Sequence, residues 1–301
     1  MMLRQAPQPA GVTVRRNRPW SGSSARRVDR LLTLYLPLGL VLVFLLAPFY
    51  WMVITSLKPD SELYSAAGNP MLVFHPSLEH YQQLLTTTEF PTWTRNTMVI
   101  AIVATGLSLL LGVPAGYSLA RLRFRGAGFV GLAIFATYLV PTSLLFIPML
   151  QVVKTLHLQD NFLSLILIYP TFLTPFCTWL MAGYFKTIPS ELEECARIDG
   201  ANRFGAMWRI AFPLATPGIL SAGIFSFTLS WNEFIYALTF VTASSSRTIP
   251  VGVLTQLTRA DFYFWGPLMA GALLGSVPVA LIYSFFVEQY AAGLTAGAVK
   301  G

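Results

Sequence analysis

Residue types that perform bond chemistry are few in this chain, and they do not gather in catalytic patterns. His75, His80 and His157 fall outside the apolar stretches and lack metal-ligand spacing. Cys177 and Cys195 sit in chemically different stretches and form neither a disulfide framework nor a CxxC site. No GxxxxGK[ST] phosphate loop occurs, so nucleotide hydrolysis by that route is excluded. Neither a Ser/His/Asp set nor an intramembrane carboxylate pair suggests a protease or a proton relay. Functional side chains concentrate instead between Ile188 and Pro213. There Ser190 with Glu193 reads as a capping box behind Pro189, and Glu191, Glu193 and Glu194 occupy the first turn, where the helix dipole favours negative charge. Leu192, Cys195, Ala196 and Asp199 share one helical face. Gly200 permits a sharp turn, and Phe204, Met207, Trp208 and Ala211 form a second stripe. Two short helices meeting at a bend lined by small residues suit lodging in a partner's cleft; an interfacial helix lying on lipid is the competing reading.

The rest of the chain must hold that segment in place. Its 301 residues are 54% hydrophobic and 11% charged, against about 25% charged in a soluble domain, and mean hydropathy is +0.60. A cytosolic enzyme, a disordered chain and a secreted disulfide scaffold are excluded. Six stretches lack Asp, Glu, Lys and Arg entirely: 31–57, 96–120, 126–153, 161–185, 210–232 and 262–287. Each is long enough to cross about 30 Å of hydrocarbon as a helix. β-barrel strands would be about ten residues long and alternating. The expectation is an all-α integral membrane protein with six transmembrane helices.

With the N-terminus inside, fifteen Lys and Arg fall on the cytoplasmic side and five outside, which places both termini in the cytoplasm. The net charge of +7 is therefore mostly topological and is no sign of nucleic-acid binding. Residues 1–30 read as a disordered basic cytoplasmic leader rather than a signal peptide, because the apolar run that follows is too long and lacks a cleavage site. Residues 31–290 form the expected permease domain, with 186–213 as its large cytoplasmic loop and 291–301 as a cytoplasmic tail. Proline occurs in every span, among them Pro48, Pro114, Pro141, Pro148, Pro175, Pro217 and Pro278, and so favours kinked helices. On the outer side, Lys58 to Arg95 carries an amphipathic stretch near His80 to Leu85. Glu233 to Asp261 forms a loop with a Ser244–Ser246 turn. Glu233 would cap a helix or pair with a partner.

The spacing Glu194-Cys195-Ala196, then Gly200, Ile210 and Pro213, closely resembles the EAA loop of ABC-importer membrane subunits, in the form typical of the carbohydrate branch. Cys195 departs from the usual Ala, and Phe212 stands where Leu is common. Tyr117–Gly126, Trp231–Phe234 and the tail Gly293–Gly301 are similar to further segments of that branch, in the right order, the tail to the ending of the maltose-type second permease subunit. The resemblance implies a type I ABC-importer permease fold in a bacterial inner membrane, serving import of a sugar or oligosaccharide. It further implies a homologous sister permease subunit, two ABC ATPase subunits and an extracytoplasmic sugar-binding protein as partners. The chain itself would hold no cofactor, ATP and Mg being bound by the ATPases. Glu194, Cys195, Ala196, Asp199, Gly200 and Ala201 would form the docking helix and its bend, with Ile210 and Pro213 tying it to the fifth span. Leu294 and Lys300 would reach the ATPase pair. The outer loop 239–250 would enter the binding protein. Sugar-contacting residues are not assigned; Tyr138, Thr142, Tyr169, Thr174, Ser226 and Tyr283 are the hydroxyl-bearing candidates for an uncharged lining. Another cargo, such as a glycerol phosphodiester, amino acid or peptide, and a self-contained channel or carrier remain as alternative readings.

Overall fold

The computed structural model describes residues 30–65, 68–122, 124–259 and 262–296. The chain divides into two compact units, Met1–Tyr50 and Trp51–Gly301. In the first unit a π-helical turn, Leu31–Tyr35, leads into α1 (Leu36–Leu57), whose last residues belong to the second unit. Short helices α2 (Asp60–Leu63) and α3 (Glu79–Thr87) precede the long α4 (Phe90–Arg121). Then follow α5 (Ala127–Leu139), α6 (Thr142–Thr155), α7 (Leu163–Ile168) and α8 (Pro170–Phe185). The segment 186–213 holds α9 (Glu191–Ile198), α10 (Arg203–Ala206), a π-helical turn Met207–Ala211 and the start of α11 (Phe212–Leu214). Beyond it come α12 (Thr216–Trp231), α13 (Ile235–Phe240), α14 (Ile249–Leu257), a two-residue β-ladder of β1 (Thr258–Arg259) with β2 (Phe262–Tyr263), and α15 (Trp265–Ala296).

Every expected apolar stretch is mainly helical, the sixth only from Trp265, after β2, and four lie in one helix long enough to cross a membrane: Leu31–Leu57, Phe90–Arg121, Leu163–Phe185 and Trp265–Val287, the last with non-helical backbone at Phe286. The third and fifth are bent pairs, α5 with α6 at 96° and α10–α11 with α12 at 71°. Proline accounts for both breaks. Pro141 has no N–H for the Thr137 carbonyl, which is capped by Val140 N–H instead at 3.3 Å. Pro217 likewise offers nothing to the Pro213 carbonyl, and the turn closes through Ala215 N–H on the Ala211 and Phe212 carbonyls. Pro48, Pro114, Pro148, Pro175 and Pro278 lie inside helices that continue past them. A proline in each span therefore does not mean a break in each span. The second span also begins at Phe90, ahead of the expected Asn96.

Three buried clusters organise the second unit. One joins Ile100, Leu165, Tyr169, Tyr236 and Phe240. Another joins Leu84, Trp93, Trp231 and Leu257. The third, at the end carrying the 186–213 segment, joins Tyr117, Met181, Phe185, Ile188 and Ala211. The outer segment 233–261, expected as a loop, is largely built structure. Glu233 accepts the N–H groups of Tyr236 (2.8 Å) and Ala237 (3.0 Å), which caps α13. Trp93 Nε1 donates to the Ser244 carbonyl, and Asn96 Nδ2 donates to those of Ser245 and Arg247, which stitches the Ser-rich turn to the start of α4. Asp160 clamps the same segment through the Thr242 hydroxyl and the N–H groups of Thr242 and Ala243. Those donors hold its carboxyl below the usual carboxylate range.

Helices α4 and α8 pack closest, because Gly112 and Gly116 face α8 without side chains. A Cβ at Gly116 would lie 2.7 Å from Met181 Cβ and 2.9 Å from both Ala182 N and Thr178 O. Two small residues four apart are what brings membrane helices together where no hydrophobic force separates lipid from protein. Gly106 on the same helix has open space around it. Gly116→Ala is expected to lower the thermal unfolding midpoint in detergent, with overpacking costing about 1–3 kcal/mol, whereas Gly106→Ala leaves it unchanged or raises it. Equal effects of the two substitutions would contradict the packing assigned to Gly116.

Candidate functional site: the 186–213 segment

The bend at Gly200 is a helix C-terminus built entirely from backbone. Ala201 N–H donates to the Ala196 carbonyl at 3.0 Å and Gly200 N–H to the Arg197 carbonyl at 3.2 Å, while Gly200 holds a φ of +94°. That paired arrangement is a Schellman cap, in which the left-handed position falls to glycine because a Cβ there is strained. Small residues at 196 and 201 are the two positions such a cap brings together, and both are half-buried. Asn202 then starts α10 with its side-chain oxygen accepting Gly205 N–H at 2.7 Å.

Glu193 departs from expectation. Ser190 does precede α9, but its side chain makes no capping hydrogen bond, and only its carbonyl accepts Glu193 and Glu194 N–H. The capping box is not formed, because Glu193 points away from the helix start and into the bundle. It is 8% exposed, accepts the Tyr117 hydroxyl at 2.6 Å and pairs with Arg121 Nε at 2.8 Å. Arg121 also donates to the Ile188 carbonyl at 2.5 Å. Tyr117 and Arg121 are four apart on α4, one helical turn, so they meet one carboxylate together. These contacts bolt α9 to the end of the second span. Sequence reasoning missed the bolt by giving Glu193 a local partner; a Tyr and an Arg one turn apart at a span's end were the available signal.

Around that bolt, the predicted site residues divide by exposure. Glu194, Cys195, Asp199, Gly200 and Pro213 are exposed, and Ala196, Ala201 and Ile210 are half-buried. Apolar groups stand out of the same surface: Ile198 is 85% exposed, Phe204 66%, Trp208 54% and Leu192 44%. The expected second stripe splits, with Phe204 and Trp208 outward while Ala211 is buried in the bundle and Met207 packs against it. A chain of rings runs inward from that surface. Phe204 and Trp208 lie 6.1 Å apart, Trp208 and Phe212 4.9 Å, and Phe212 reaches Phe185 at 5.9 Å and Tyr117 at 6.3 Å. The π-helical turn Met207–Ala211 sits within this chain. A hollow of about 230 Å³ lies between α4 and the segment, bordered by Arg121, Glu193, Arg197 and Arg203. Element α15 kinks at Phe286 and its backbone then continues as helix to Ala296, past the expected boundary at 290, so Leu294 falls on its last stretch. Lys300 and the leader 1–29 lie outside the described residues.

The histidines gave no metal spacing in sequence, yet the fold brings Asp60, Glu79 and His80 together, with ligand atoms within 4.8 Å of one another. His80 Nε2 is hydrogen-bonded to the Lys58 carbonyl at 2.7 Å, and Glu79 accepts Asp60 N–H at 3.0 Å. The cluster is thus a hydrogen-bonded corner of the outer segment.

Residues 112–295 match the family of the binding-protein-dependent transport system inner membrane component, and the chain belongs to that family. It is 35% identical over 270 residues to the sulfoquinovosyl glycerol transport system permease protein SmoH of Agrobacterium fabrum, covering 89% of this chain and 93% of that one. It is 34% identical over 270 residues to the inner membrane ABC transporter permease protein YcjP of Escherichia coli, covering 89% and 95%. It is 29% identical over 280 residues to the trehalose/maltose transport system permease protein MalG of Thermococcus litoralis, covering 91% and 99%. The fold matches a chain of a bacterial ABC transporter involved in the import of the acidic polysaccharide alginate, with a TM-score of 0.74 at 22% identity, over 91% of this chain and 99% of that one. The protein is accordingly a permease subunit of an inner-membrane ABC importer.

Glu193→Ala strands the Arg121 guanidinium without its carboxylate, a loss of about 3 kcal/mol for a largely buried pair. It should speed amide hydrogen exchange across 191–206. Glu193→Gln, which keeps an acceptor for Tyr117, should fall between it and the unaltered protein. Unchanged exchange in Glu193→Ala would contradict the bolt.

Proposed function

We propose that this permease carries a sugar or oligosaccharide and is driven through its 186–213 segment by two cytoplasmic ABC ATPase subunits. In this reading it forms half of the pathway with a homologous sister subunit, six spans and both termini cytoplasmic, and an external binding protein delivers the cargo. ATP and Mg belong to the ATPases. The observation that carries the coupling is the pairing of an exposed apolar surface with a rigid attachment. Leu192, Ile198, Phe204 and Trp208 offer a partner about the only apolar anchors on the segment, while the Glu193–Arg121 pair and the ring chain fix that surface to spans two and four. A push on the surface therefore moves helices rather than a loose loop. Lipid contact would also cover apolar groups, but Glu194, Arg197, Asp199 and Arg203 lie exposed in the same segment, which favours a polar protein cleft. Carbohydrate cargo is supported by the relatives named for sulfoquinovosyl glycerol and trehalose/maltose. The tail beyond Leu294 would extend toward the ATPase pair, and the exposed tip at Thr242 and Ala243 would meet the binding protein.

The test is at Gly200. No atom stands within 4 Å of a Cβ built there, so any penalty comes from backbone conformation alone. Gly200→Val is expected to leave the protein in the membrane and abolish substrate-stimulated ATP hydrolysis by the assembled complex. Gly200→Asn, which tolerates the left-handed region, should retain most of it. Full stimulation in Gly200→Val would sink the coupling role.

A further inference from the structure

Helix α4 runs from Phe90 to Arg121, and Arg121 holds the 186–213 segment through Glu193. The loop 64–78, between α2 and α3, lies at the other end of that helix. Its apolar side chains stand in the open: Met71, Leu72, Phe74 and Leu78 are all exposed, Phe74 to 61% and Leu78 to 68%. Contiguous apolar surface of this kind marks an interaction site. The loop is nonetheless held firmly. The Lys58 ammonium is buried and donates to the Asn69 and Pro70 carbonyls at 2.6 and 3.1 Å. Glu62 accepts the Phe74 and His75 N–H groups at 3.1 and 3.2 Å. These clamps fix the backbone on both sides of Leu72, so the apolar groups cannot fold back into the bundle.

The height of the loop is fixed as well. Leu57 ends the first apolar stretch, and Ser77 N–H donates to its carbonyl at 2.8 Å. One residue earlier, the Ser56 and Tyr81 hydroxyls share a hydrogen bond at 2.8 Å. Phe74 stands three residues before Ser77, at most about 11 Å of chain, so it lies at the level where a span leaves the hydrocarbon. Aromatic side chains mark the same level. Tyr263 and Trp265, at the start of the sixth stretch, are exposed and stack at 5.1 Å, and the Tyr64 hydroxyl donates to the Tyr263 carbonyl at 3.4 Å. Exposed Tyr and Trp at span ends form the belt that sits among lipid headgroups. Helix α3 is seated on that span too, because Gly266 leaves room for the His80 ring.

Charge decides the kind of lipid. Residues 59–88 contain Asp60, Glu62 and Glu79 but no Lys or Arg, and the one neighbouring ammonium, on Lys58, is buried against carbonyls. An anionic headgroup therefore finds no cation to pair with, unlike at a basic anchor. Burial of apolar surface is left as the driving force.

We propose that the loop 64–78 is an interfacial anchor. Leu72, Phe74 and Leu78 seat among the zwitterionic headgroups and upper acyl chains of the leaflet opposite the 186–213 segment. The anchor holds the ends of the first and sixth spans at that boundary. It does not depend on the cargo or on the coupling reading. A protein partner would also cover apolar groups, but a patch bonded at the level of a span's end favours lipid.

The experiment uses the whole complex, purified from its host's membranes through a tag on this chain. It is placed in nanodiscs of phosphatidylcholine that carries a diazirine near the headgroup end of one acyl chain, illuminated, and mapped by peptide mass spectrometry. Adducts are expected within 71–78 of the unaltered chain, and replacing half the lipid by phosphatidylglycerol should not raise their yield. In a second arm, Leu72→Cys and Phe74→Cys, each combined with Cys195→Ala, carry a nitroxide; Cys177 is buried and stays unlabelled. Collisions with oxygen should exceed those with a water-soluble nickel chelate several-fold at both positions, with or without the binding protein. Labelled spans with no adduct in 71–78, or nickel contact exceeding oxygen at either position, would overturn the anchor. Protection from nickel only when the binding protein is present would assign the patch to that protein and overturn the anchor too. Adduct yield rising several-fold with phosphatidylglycerol would overturn the apolar basis of the contact.

Discussion

Placement of the 186–213 segment depends on one buried carboxylate. Glu193 leaves the helix that carries it and reaches across to Tyr117 and Arg121, one turn apart at the end of α4. A charge pair taken out of water is no great source of stability, since desolvation offsets much of the attraction. What it supplies here is position. Without it α9 would be held by the chain at Ile188 and by its packing on α10 and the Met207–Ala211 turn, all within the same segment. With it, an eight-residue helix becomes a fixed projection of a 32-residue one.

The other parts follow from that attachment. The backbone cap at Gly200 turns the chain without using side chains, so those of Leu192, Ile198 and Phe204 stay available on the outside. The rings from Phe204 to Phe185 lead inward to the cluster that includes Met181, and Met181 packs against the glycine face of α4. The exposed apolar surface of 186–213 and the close-packed α4–α8 pair are thus joined by continuous packing. Among the described residues the sharp proline breaks lie in the third and fifth stretches, at 96° and 71°, the second of them just past Phe212 at the end of this packed path.

Much of this was legible in the sequence. Six charge-free stretches appear as helices, and the turn at Gly200 with its small neighbours stands where the spacing put it. Local signals were the ones that misled. Ser190 and Glu193 have the spacing of a capping box, yet a carboxylate near a buried arginine gains more from the ion pair than from a backbone N–H that water can serve. The pair links residues 72 positions apart, and no pattern within a helix records such a partner. The outer segment 233–261 looked like a loop because its helices are short and its anchors, Trp93 and Asn96, belong to a distant span. Proline showed where bending was allowed but not where it would occur.

The central claim is that the surface around α9 is held by a nucleotide-hydrolysing neighbour. Cys195 lies exposed on that surface, and Cys177 is buried, so a thiol-directed photo-crosslinker can be placed at position 195 alone. Attached there and activated in the assembled complex in native membranes, it should join this chain to an ATPase subunit in high yield. Adducts formed only with phospholipid would contradict the account.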